Sequence, residues 1–139
     1  MRLQTASLLL LICAGALTLQ VHAQNAPDPL SGIWTGDWGP TPKDRNNVLV
    51  ELKWDGKTVT GAVKGTGNVA GPGTAVIPYD IPFKKGSFDA TTGKLRLEAT
   101  AWFQGHPVQY VINATLQNNS MTGDWKHGSK KGNLMLNRI

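Results

Sequence analysis

Apolar and polar residues alternate with a period of two through nearly every long segment of this chain, and that alternation constrains its fold more than any other feature. Val48, Val50, Leu52 and Trp54 lie on one side of a segment whose other side carries Leu49, Glu51 and Lys53. Leu95, Leu97, Ala99, Ala101 and Phe103 alternate with Arg96, Glu98, Thr100 and Trp102, and Val108, Tyr110, Ile112, Ala114 and Leu116 continue the pattern. A period of two is what a strand half buried in a sheet requires. No segment keeps apolar residues at helical spacing for three turns, so no substantial helix is expected.

Turn residues divide the pattern into segments near 31–38, 47–54, 57–64, 74–80, 82–88, 94–103, 107–117 and 120–127, with a ninth at 132–138. Asp55-Gly56 reads as a two-residue hairpin turn with positive φ at both positions. Gly65 to Gly73, rich in glycine and interrupted by Pro72, reads as a loop at a barrel mouth. It matches no phosphate-binding pattern, because no helix follows to present backbone amides to an anion. Short turns at regular spacing favour a meander. An open sheet would leave two unpaired edges, so the expected fold is all-β: one antiparallel up-and-down barrel of about eight strands.

Residues 1–23 read as a secretory signal peptide, with Arg2 ahead of an apolar run from Leu8 to Val21 and small Ala23 at its end. The run is shorter than the roughly 20 residues that cross a bilayer as a helix. No membrane span is expected after cleavage, and the expected location is periplasmic or secreted. Residues 24–29, with Pro27 and Pro29, read as a flexible leader, and 30–139 as the barrel domain. The single cysteine, Cys13, lies inside the apolar run, so the domain has no disulfide to rely on.

The chain holds fourteen Lys and Arg against nine Asp and Glu, for a formal charge of +5. The basic residues are scattered beside turns and at alternating strand positions, which serves solubility and guards sheet edges. With no basic stripe and an export signal, nucleic acid is not an expected partner. The sequence carries no cofactor signature and no signal for an oligomeric state.

Leu30-Ser31-Gly32-Ile33-Trp34 opens the first strand, and Asn137-Arg138-Ile139 ends the last. This pairing resembles the calycin superfamily, the lipocalins and the avidin group. The resemblance implies that Gly32 and Trp34 seal the closed end of a barrel and that Arg138 lies across Trp34. A guanidinium over an indole gains about 0.5 to 2 kcal/mol of cation–π attraction. Thr122-Gly123-Asp124-Trp125-Lys126 is similar to a late strand of the avidin group. The biotin-contacting residues do not carry over, because Gly36, Pro40 and Leu134 stand where polar contacts would be needed. Biotin is therefore not the expected ligand.

Five tryptophans are the most informative side chains, since indoles either fill a core or form stacking platforms. Trp34, Trp54 and Trp125 read as core. Trp38, at the end of the first strand beside Gly39-Pro40, and Trp102, on a face with Arg96, Glu98 and Thr100, are the candidate ligand contacts. Tyr79 and Tyr110 could add hydroxyls. The leading expectation is an interior site for a small apolar or ring-containing molecule, without catalysis. A carbohydrate- or cell-surface-binding module stacking on Trp102 is the alternative. A third class is an enzyme at the barrel mouth using Asp37 or Asp124 as acid and base. His106 and His127 have no partner at metal-ligand spacing, so no metal site is expected. Asn113-Ala114-Thr115 and Asn118-Asn119-Ser120 match glycan acceptor patterns.

Overall fold

The alternating segments pair in chain order and close on themselves. The computed structural model of the protein describes residues 27–68 and 76–139. The strands are β1 (Gly32–Thr41), β2 (Asp44–Trp54), β3 (Val59–Asn68), β4 (Val76–Asp89), β5 (Lys94–Phe103), β6 (His106–Gln117), β7 (Ser120–His127) and β8 (Lys130–Arg138). Each pairs antiparallel with the next, and β8 returns to β1, so the sheet is a closed eight-stranded meander barrel without a helix among the described residues. The signal segment with Cys13, residues 24–26 of the leader, and Gly71-Pro72-Gly73 lie outside the described residues.

Closure runs along the β1–β8 seam, where Trp34 stands directly opposite Arg138 and Gly36 opposite Leu136. Trp34 is fully buried, its indole Nε1 donates to the Leu30 carbonyl at 2.9 Å, and the Arg138 guanidinium sits 4.7 Å above the ring. Arg138 also donates to the Pro29 carbonyl, while the backbone N–H groups of Leu30 and Ser31 donate to Asp28. Asp28 and Pro29, at the end of the segment read as leader, are thus tied across the sealed end. Burial opposes ionisation of Asp28, but its bonds with Ser31 and Leu30 and the nearby Arg138 charge together hold its carboxyl below the ordinary range.

Leu30, Val50, Leu52, Val59, Val63, Leu95, Leu97, Ile112, Met121, Leu134 and Leu136 fill the interior. They are the inward members of the alternating sets.

Several sequence expectations are corrected. The described part of the segment 74–80 and the whole of 82–88 are one strand, β4, which reaches 14 residues and contains Pro78 and Pro82. A bulge between Phe83 and Lys85 shifts the inward face from Tyr79, Ile81 and Phe83 to Gly86 and Phe88. A bulge bends the strand and moves its side chains out of step, which is why the alternation reads as broken there. Gly65 to Asn68 belong to β3 rather than to a loop. The Asp55-Gly56 turn is longer than two residues, and only Gly56 has positive φ. Asp55 accepts from the N–H groups of Lys57 and Thr58, closing the turn with its own carboxylate. Those two bonds hold the Asp55 carboxyl below its ordinary range.

Candidate functional site

The end of the barrel opposite Trp34 gathers aromatic side chains from four strands. Trp38 comes from β1, Tyr79 from β4, Tyr110 from β6, and Trp125 with His127 from β7. Trp38 sits at the centre, with ring centroids 5.2 Å from Trp125 and 6.3 Å from Tyr110, and Tyr110 lies 4.4 Å from His127. Tilted rings at these distances match the preferred geometry of aromatic pairs. Trp38, Pro40, Asp44, Asn46, Tyr110, Trp125, His127 and Lys130 wall an open recess of about 290 Å³.

The structure therefore brings together three of the four residues singled out from sequence: Trp38, Tyr79 and Tyr110. It separates the fourth. Trp102 is 73% exposed on the outer face of β5, in line with Arg96, Glu98 and Thr100. Trp125 and His127 are the members that sequence reasoning missed. Trp125 reads as ordinary core, and at 8% exposure it is buried as a core residue would be, but it also walls the recess. Its place one inward step beyond Gly123 was the available signal.

Glycine makes room for the phenol of this cluster. Gly65 on β3 pairs with Tyr79, and a Cβ at that position would meet the Tyr79 hydroxyl at 2.4 Å. Tyr79 lies over the space that any other residue would occupy.

Beneath the mouth the interior is filled. Trp38 forms a wall of two voids of about 10 Å³ each, one bounded by Ile81, Phe83 and Tyr110 and the other by Val48, Met121 and Leu136. A void of that size holds at most one water. The interior cavity expected from sequence is thus occupied by side chains, because an eight-stranded barrel is only just wide enough to be packed solid. Space for a ligand lies at the mouth.

Burial raises the pKa of both phenols. For Tyr79 the neighbouring Tyr110 adds to the effect and Trp38 partly opposes it. The folded barrel favours the neutral phenols, so their contribution to stability holds below the ordinary tyrosine pKa of about 10 and is lost as pH rises beyond it. The urea midpoint should accordingly fall between pH 9 and pH 11, and Tyr79→Phe should flatten that fall. An unchanged slope in the variant would show that Tyr79 does not carry the dependence.

The acid–base pair imagined for Asp37 and Asp124 does not form. Both lie on the outer face, on β1 and β7, with β8 between them. Asp37 is half exposed and pairs with Arg45, which also donates to the Asn133 side chain across the seam. Asp124 is exposed. Among the described residues no group of three or more His, Cys, Asp or Glu could hold a metal ion. His106 is exposed in the β5–β6 hairpin, far in role from the stacked His127.

The barrel is eight-stranded and up-and-down, and Trp34 of its first strand lies beneath Arg138 of its last. No protein family and no curated protein matches the chain. Among solved structures, it is similar to the wild-type fluorescent protein UnaG at 10% identity, covering 79% of this chain and 97% of that one, with a TM-score of 0.43. A point variant of the same protein matches with equal identity and TM-score, over 80% of this chain and 96% of that one.

Proposed function

We propose that this is an exported, lipocalin-like barrel, periplasmic or secreted, that binds a small ring-containing molecule at its mouth and performs no catalysis. The observation that carries the reading is the recess of about 290 Å³ walled by Trp38, Tyr110, Trp125 and His127. A site of that size, with aromatic side chains in its wall and polar groups at its rim, suits a flat ring that stacks on one face and buries its edges. Asn46, Asp44 and Lys130 supply the polar rim. Trp38 is the floor, and by filling the channel it confines the ligand to the mouth.

A second reading, carbohydrate binding on the outside, is favoured by exposed Trp102 and by an outer groove of about 580 Å³ on the same face of β5. Ser87, Arg96, Asn113, Thr122 and Asp124 line that groove. Arg96 is held there by Glu98 and Asn113.

One titration separates the two. N-Phenyl-1-naphthylamine should bind with rising probe fluorescence, saturate at one per chain, and lose about tenfold in affinity in Trp38→Ala, a change of about 1.4 kcal/mol. A tryptophan response to soluble oligosaccharides, abolished by Trp102→Ala and with no response to the naphthylamine, would overturn the mouth reading in favour of the outer face.

A further inference from the structure

Unpartnered polar atoms at the mouth are all of one kind. The Trp125 indole Nε1 is buried and makes no hydrogen bond, and the buried Tyr79 hydroxyl, which has only the Trp38 indole as a neighbouring donor, has no acceptor for its proton. Leaving a buried polar group unpaired costs about 1–3 kcal/mol, so an orphaned indole N–H in the wall of the recess, with an unmatched phenol next to Trp38 and Tyr110, asks for an explanation. Two further orphans, Trp54 Nε1 and Arg138 Nε, belong to the sealed end, where Trp54 packs edge-on against Phe88 and Arg138 covers Trp34.

An indole N–H can only donate. Trp125 therefore lacks an acceptor and could not be satisfied by a donor. The phenol of Tyr79 is held neutral by burial, so it too keeps a proton to give, and the neighbouring Trp38 indole, itself only a donor, cannot accept it. The two voids beneath Trp38 are walled almost entirely by apolar side chains, among them Val63, Leu97 and Ile112, and supply no acceptor.

Resting on the mouth as the binding site, we infer that the ligand carries a hydrogen-bond acceptor on its ring system, a carbonyl or carboxylate oxygen, and that Trp125 with Tyr79 selects for it. The ring stacks against Trp38 and Tyr110, and the acceptor oxygen takes the Trp125 N–H. A hydrocarbon of the same shape would gain the stacking but leave both donors unpaired. Sites built to hydrogen-bond one group reject the analogue lacking it for this reason.

The test is a matched pair, 1-indanone and indane, titrated against the full barrel domain and followed by tryptophan fluorescence and by the indole N–H resonances. 1-Indanone should bind at least about tenfold more tightly than indane, with one indole N–H moving downfield. Trp125→Phe should reduce that preference to about twofold or less, whatever the change in the affinity for indane itself. Should Trp125→Phe fail to fold, Tyr79→Phe and the wild-type resonance shift carry the same information. Equal binding of both compounds by the wild type, with no indole shift, would overturn the acceptor inference and leave the mouth reading standing. Binding of neither would remove the mouth reading and the inference with it.

Discussion

Trp34→Ala is expected to cost the barrel about 3–5 kcal/mol, which lowers the thermal midpoint of a domain this size by about 10–20 °C. Trp34 is fully buried, and its loss removes several contacts at once. The Leu30 carbonyl loses its donor, the Arg138 guanidinium loses the ring beneath it, and the sealed end is left with a hole that a closed sheet cannot collapse to fill. Urea unfolding measures the effect: the midpoint falls while the slope stays constant, as for a change in stability alone. Trp102→Ala, at an exposed position, provides the control and should change stability by no more than about 0.5 kcal/mol. If the two variants behaved alike, the tryptophan-and-arginine seal would not be what holds the barrel shut.

Gly36→Ala is expected to be nearly as damaging, although it adds only one methyl group. A Cβ at Gly36 would lie 1.9 Å from the Met135 carbonyl oxygen and 3.0 Å from Leu136 Cα. Both are backbone atoms of β8, so no side chain can swing aside and the seam itself must part. Overpacking of this kind costs about 1–3 kcal/mol and more when backbone must move. A loss of about 3 kcal/mol in urea unfolding is the expected result. Gly56→Ala is the comparison, because Gly56 has a φ of +93° but nothing within 4 Å of its added carbon. Its cost should be limited to backbone strain, about 1 kcal/mol. Equal losses in the two variants would mean that conformational strain at glycine, rather than close approach of β1 and β8, governs the seam.

Both variants strike the seam, and the residues that seal it are legible in the sequence. Gly32, Trp34 and Arg138 are assigned by what the resemblance to the calycin superfamily implies, and that resemblance has weight because its two motifs flank a stretch that alternates almost without interruption. The strand that misleads is β4. Its prolines look like breaks, and its bulge resets the alternation between Phe83 and Gly86, so a local pattern divides what the ladder joins. Pairing with β3 and β5 holds the strand together through Pro82, and that support comes from residues distant in the chain.

The candidate site is legible in part for the same reason. Trp38, Tyr79 and Tyr110 carry the right chemistry and can be chosen one by one, but the alternation that places a side chain inside does not say how near the mouth it lies. Trp125 shows the difference. By sequence it is one more inward apolar residue of β7, and only the stagger of β7 against β1 sets its ring 5.2 Å from Trp38.

An all-β chain with a defined inward face, and a tryptophan and an arginine at its two ends, can be read from the residues in order, because period-two alternation and end positions are local facts. The solid packing of the interior and the meeting of the aromatic residues at the mouth arise only on closure. The width of an eight-stranded barrel and the stagger of its strands follow from how all eight come together, and no single segment encodes either.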